Sequence, residues 1–84
     1  MLMRAKMKVN SVDAWGNAEI LTMQAVCKPD GYDDDGSDED NTFARFTPSA
    51  CLEMVIMNPG LVGKIEVGQV FYVDFTPVND SDEN

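Results

Sequence analysis

Eighty-four residues with a formal net charge of −9 allow one domain with a thin core. No run of about 18 apolar residues is present, which excludes a membrane-spanning helix, and the opening Met1-Leu2-Met3-Arg4-Ala5-Lys6 interleaves charge too early for a signal-peptide core. The chain has no histidine, so the commonest general base and a principal zinc ligand are both missing.

Ala5, Met7 and Val9 alternate with Lys6, Lys8 and Asn10, the period of two of a half-buried strand, predicted over 4–12. Asp13-Ala14-Trp15-Gly16-Asn17 reads as a turn carrying the single tryptophan. Leu21, Met23, Ala25 and Cys27 then recur on one side of a second strand, 18–27, and the two strands make a hairpin. From Lys28 to Asn41, Pro29, Gly31 and Gly36 interrupt a run of mutually repelling aspartates. Residues 29–41 are therefore predicted to be a mobile acidic loop, and loop length costs little in closure entropy.

Phe43 and Phe46 anchor a short strand predicted over 42–46, packed into the core and ended by Thr47-Pro48-Ser49. Leu52, Met54 and Ile56 share one face of a strand over 50–57, and Asn58-Pro59-Gly60 turns the chain. After an irregular link, Phe71, Val73 and Phe75 oppose Val70, Tyr72 and Asp74 on a last strand over 69–76. The fold class is all-β: a small antiparallel sheet of about five strands curling into a barrel or half-barrel. Residues 1–78 form the single domain, and 79–84 a disordered acidic tail.

The charge is uneven. Seven acids lie between Asp30 and Asp40, and three more, Asp80, Asp82 and Glu83, lie in the tail. Set against six basic residues, the other five acids leave a body of +1. The loop therefore carries the strongest field, with Asp33, Asp34, Asp35, Asp38, Glu39 and Asp40 as candidate partner contacts. Several strands are apolar on both faces, which points to a homo-oligomer with Val55, Met57, Val70 and Tyr72 at the interface.

Chemistry is poorly served. Placing Gly36 at the turn position of a calcium loop puts Gly31 and Thr42 where carboxylates belong, so no metal site is predicted. Nothing brings Glu19, Glu53, Glu66 or Asp74 together as an acid–base pair, and Thr47 and Ser49 have no histidine to activate them. Cys27 and Cys51 are expected as reduced thiols in or near the core. No cofactor motif appears, and the chain is not expected to be an enzyme. Lys6, Lys8, Trp15, Arg45 and Lys64 are the candidate phosphate or nucleic-acid contacts.

The stretches Asn41-Thr42-Phe43-Ala44-Arg45-Phe46-Thr47-Pro48-Ser49-Ala50, Asn58-Pro59-Gly60-Leu61-Val62-Gly63-Lys64 and Gly68-Gln69-Val70-Phe71-Tyr72-Val73-Asp74-Phe75-Thr76-Pro77, with the opening Lys6-Met7-Lys8-Val9 hairpin, resemble a family of short acidic proteins encoded by tailed bacteriophages. The resemblance covers most of the chain outside the acidic loop and brings no activity and no functional residue with it. It implies a phage protein acting in the cytoplasm of an infected bacterium. The expected function is a non-enzymatic accessory that inhibits a host or defence protein, its acidic loop imitating nucleic-acid phosphates, or that sequesters a nucleotide signal. A single-stranded DNA-binding replication accessory and a minor virion component are the alternatives.

Overall fold

Alternating apolar residues build four antiparallel strands in the computed structural model, which describes residues 3–78. They are β1 (Met3–Trp15), β2 (Ala18–Ala25), β3 (Cys51–Ile56) and β4 (Val70–Phe75), in the spatial order β3-β2-β1-β4. The predicted tail, 79–84, lies outside the described residues.

β1 and β2 form the expected hairpin, but its turn is tighter than predicted. Trp15 pairs with Ala18, leaving only Gly16 and Asn17 as the loop. Gly16 has a φ of 61° while Asn17 keeps an ordinary negative φ, the sign pattern of a type II′ turn. β1 also runs past its predicted end. The register shifts between Val9 and Ser11, so Asn10 is an extra residue bulged from the ladder. The bulge reverses the alternation, and Val12 joins Val9 on the same face.

The pairing register assigns every strand residue to one of two faces. Met3, Ala5, Met7 and Val9 of β1 share a face with Leu21, Met23 and Ala25 of β2, Leu52, Met54 and Ile56 of β3, and Phe71, Val73 and Phe75 of β4. This is the core face. Ala5, Met7, Val9, Leu21, Met23 and Ile56 are buried in it, and each large side chain buried there contributes roughly 1.5–3 kcal/mol.

The cover over that face is a single segment. β3 and β4 lie at opposite edges, so residues 57–69 must cross the sheet. Val62 and Ile65 pack on the core from this crossing, and the Gly63 N–H donates to Glu19 Oε1 at 2.9 Å. Before β4 begins, the Gly68 N–H donates to Val9 O and the Val9 N–H to Gln69 O, both at 2.9 Å, which extends the ladder. The sheet is curled but open: it does not close into a barrel, and the molecule is only 16 Å across its thinnest dimension.

Two sequence expectations are corrected. Residues 42–46 are not a strand. The Ala44 N–H turns back to Asn41 O, and Phe46, at a φ of 60°, returns its N–H to Gly36 O at 2.7 Å. Phe43 and Phe46 are 38% and 47% exposed rather than core anchors. Gly36 is required here, because its φ is +76° and a Cβ would come within 2.5 Å of the Phe46 ring. Cys27 and Cys51 are free thiols but exposed, not packed in the core.

The acidic loop is tied to the sheet at its C-terminal end. β2 stops at Ala25, opposite Met7; beyond it the Val26 N–H still donates to Lys6 O at 2.8 Å, but the Lys6 N–H and the Arg4 backbone have no β2 partner. Asn41 and Thr42 replace it. The Lys6 N–H donates to Asn41 Oδ1 at 2.9 Å, and Asn41 Nδ2 donates to Val26 O at 3.0 Å and to Asp38 Oδ2 at 3.1 Å. Thr42 exchanges hydrogen bonds with Arg4. Asn41 is completely buried and Asp38 nearly so.

Removing that amide takes a partner from the half-buried Lys6 N–H and Val26 carbonyl and from the buried Asp38 carboxylate, and a buried group left unpaired costs about 1–3 kcal/mol. Asn41→Leu is therefore expected to lower stability by about 2–4 kcal/mol in urea denaturation. A loss under about 0.5 kcal/mol, the size of an ordinary surface change, would contradict the tie.

Candidate functional site

The face opposite the core collects the charges of the sheet. Arg4, Lys6, Lys8 and Asp13 on β1, Glu53 on β3 and Asp74 on β4 all lie on it. At its β1–β4 end they form a closed network. Arg4 donates from Nε to Asp74 Oδ1 at 2.6 Å and from Nη2 to Asp74 Oδ2 at 3.1 Å, a bidentate pair. The same guanidinium lies 4.4 Å from the Tyr72 ring centroid. The Tyr72 hydroxyl donates to Asp40 Oδ1 at 2.8 Å, and Lys6 Nζ lies 3.5 Å from Asp40 Oδ2.

These contacts set the protonation behaviour. The Tyr72 hydrogen bond, then the Lys6 charge, holds the Asp40 carboxyl below its ordinary value of 3.8. Hydrogen bonding from Arg4 does the same for Asp74. The Asp40 carboxylate in turn raises Tyr72, because it stabilises the bound proton. Arg4, Asp74, Tyr72, Asp40 and Lys6 each have a partner within the network, so the cluster is a clasp between loop and sheet.

The six candidate loop acids separate by environment. Asp38 is buried and accepts from the Asp40 N–H and from Asn41, so it presents nothing to a partner. Asp40 is held by Tyr72 and Lys6. Glu39 lies 3.2 Å from Lys28 Nζ and is held below its ordinary value by its own backbone N–H first and by Lys28 second. Asp33, Asp34 and Asp35 are exposed, and none of them makes an ion pair among the described residues. Asp35 accepts the Ser37 N–H at 3.0 Å, which fixes its carboxylate and lowers its pKa. The segment is braced by the Tyr32–Phe46 edge contact, with ring centroids 6.3 Å apart, and by Arg45 Nε, which donates to Asp35 O at 2.7 Å.

The candidate phosphate contacts do not converge. Lys6 and Lys8 lie on the charged face, with Lys6 engaged by Asp40. Arg45 is spent on a loop carbonyl, Lys64 rides on the crossing segment, and Trp15 stands 60% exposed at the hairpin tip. The candidate interface residues also separate. Val55 and Val70 lie on opposite edge strands, with Gln24, Thr22 and Ile20 of β2 and Lys8 and Lys6 of β1 between them and Tyr72 beside Lys6. Met57 instead joins Trp15, Gly16, Asn17 and Ala18 around an open depression of about 330 Å³ at the hairpin tip.

The larger apolar feature is on the core face, and the sequence reading missed it as a surface. Leu21, Met23, Leu52 and Met54 of β2 and β3, Ile65 of the crossing segment, and Phe71, Tyr72, Val73 and Asp74 of β4 line an open groove of about 370 Å³. Both edge strands contribute, which is the consequence of the curl. Phe71, Phe75, Met54 and Met3 remain 39–49% exposed. Alternation put Phe71, Phe75 and Met54 on one face of their strands, Met3 fell outside the predicted first strand, and the missing second layer is what leaves all four uncovered. Among the described residues no three Cys, Asp or Glu side chains converge as metal ligands, and no helix is long and apolar enough to cross a membrane. The chain matches no protein-family profile, no curated protein and no solved structure.

Both clasp carboxylates have folded pKa values below 3.8. A depressed carboxylate contributes stability above its unfolded pKa, and that contribution is lost as pH falls through the folded value. Tyr72→Phe is expected to move the Asp40 midpoint upward toward 3.8 in a carboxyl NMR titration, with the sheet intact. An unmoved Asp40 midpoint would contradict the clasp.

Proposed function

We propose that the chain is a non-enzymatic binding protein that engages a basic surface of a protein partner through Asp33, Asp34 and Asp35. The observation that carries this reading is their selective freedom. Of the neighbouring acids, Asp38 is buried and hydrogen-bonded and Glu39 and Asp40 are ion-paired within the molecule, whereas these three are exposed and make no ion pair among the described residues, on a loop anchored at Asn41. An anchored run of carboxylates suits recognition of cations, because little side-chain and loop ordering remains to oppose binding. In the setting implied by the bacteriophage resemblance, the partner is a host or defence factor in the infected cytoplasm whose nucleic-acid surface the loop occupies. Sequestration of a nucleotide has less support, since Lys6 and Arg45 are already engaged within the molecule.

Exposed charges act over about 8 Å at physiological ionic strength, so the aspartates mainly speed encounter. The triple variant Asp33→Asn, Asp34→Asn, Asp35→Asn is expected to slow association with a protein captured from bacterial lysate by about tenfold and to flatten its salt dependence. Capture with unchanged rate and salt dependence would overturn the proposal. Tighter binding of single-stranded DNA by the same variant would favour the replication-accessory alternative, because the loop would then be repelling phosphates.

A further inference from the structure

We propose that a second copy of this chain packs on the core face of the sheet, so that two single layers enclose one shared apolar core. The face has the composition of an interior. Of the sheet residues the register places on it, only Glu19 is charged, and its carboxylate is occupied by the Gly63 N–H. The opposite face carries six charged residues. Domains normally bury such a face against a second layer, and stacked sheets lie about 10 Å apart. Among the described residues outside the strands, only Ala50, Val62 and Ile65 pack against its buried cluster.

The acidic stretch Asn79-Asp80-Ser81-Asp82-Glu83-Asn84 has no apolar side chain to bury against this face. A second copy has. At roughly 200 Å² for each large side chain, the exposed parts of Met3, Met54, Phe71 and Phe75 amount to about 350 Å² on each copy. Half-buried Leu52, Val73 and Ile65 and the groove walls bring this toward the approximately 600 Å² per partner at the lower end of specific interfaces. Like charge does not oppose the contact. Asp40 of the acidic loop is held by Lys6 and Tyr72, which both belong to the opposite face, so the loop is clasped on the side away from the contact.

Sedimentation equilibrium of the full chain across about 1–100 μM, where a contact of this size dissociates, tests the inference. The expected result is a dimer that Met54→Glu or Phe71→Glu weakens by at least about tenfold, each buried charge costing well over the 1.4 kcal/mol that tenfold represents. Val55→Glu, on the opposite face, is expected to leave it intact. Met54→Gln serves where the charged variants lose their β-sheet spectrum, and is expected to weaken the dimer in the same direction. A monomer throughout the range overturns the proposal, as does a dimer that Val55→Glu dissociates and the Met54 variants do not.

Discussion

One constraint governs the molecule: a four-stranded sheet has a face that is apolar but for Glu19, and among the described residues a single crossing segment covers it. Burial is therefore concentrated where Val62 and Ile65 press on Met7, Val9, Leu21 and Met23. It fades toward the edge strands, where Met54 and Phe71 are 49% and 39% exposed. Curling brings the two edges to a common groove and recovers part of the missing contact without closing a barrel. Closure would require β3 and β4 to pair, and the crossing segment that joins them occupies the face between.

A second tie determines where the acidic residues stand. The central strand β1 outruns β2, which would leave the Arg4 backbone and the Lys6 N–H bare while Lys6 O keeps the Val26 N–H. The Asn41 side chain, which carries the donor and acceptor of a peptide group, fills that position from inside the loop. With Asn41 fixed, Asp40 falls beside Tyr72 and Lys6, and Asp38 is drawn under the loop. Asp30 and the segment from Asp33 to Asp35 are left exposed without an ion pair among the described residues. The fold thus converts a uniform run of like charge into a neutralised base and an exposed tip.

Alternation made the faces of all four strands legible, because a half-buried strand writes its two sides at a period of two. What alternation does not encode is how many layers will exist. Leu52, Met54, Phe71 and Phe75 have the same pattern whether or not a second sheet covers them. The fifth strand over 42–46 rested on its aromatic content, yet Phe43 and Phe46 are three residues apart and on no common strand face. The turn that replaces it depends on Gly36, ten residues upstream, which no local pattern reveals. The bulge at Asn10 left a trace in the sequence, since Val9 and Val12 break the period of two. Asn41 left none: an asparagine in a polar loop reads as a turn residue, and its burial comes from partners at Lys6 and Val26.

The exposed core face is the central element of this account, and the methionine methyls report on it directly. Met54 lies on that face, and Met57, 73% exposed, stands just past the end of the same strand beside the hairpin tip. Methyl NMR with a soluble paramagnetic probe is expected to broaden Met57 strongly while Met54 is spared as completely as buried Met7 and Met23. Met54 broadened to the same extent as Met57 would show the face open to water in solution and contradict the account.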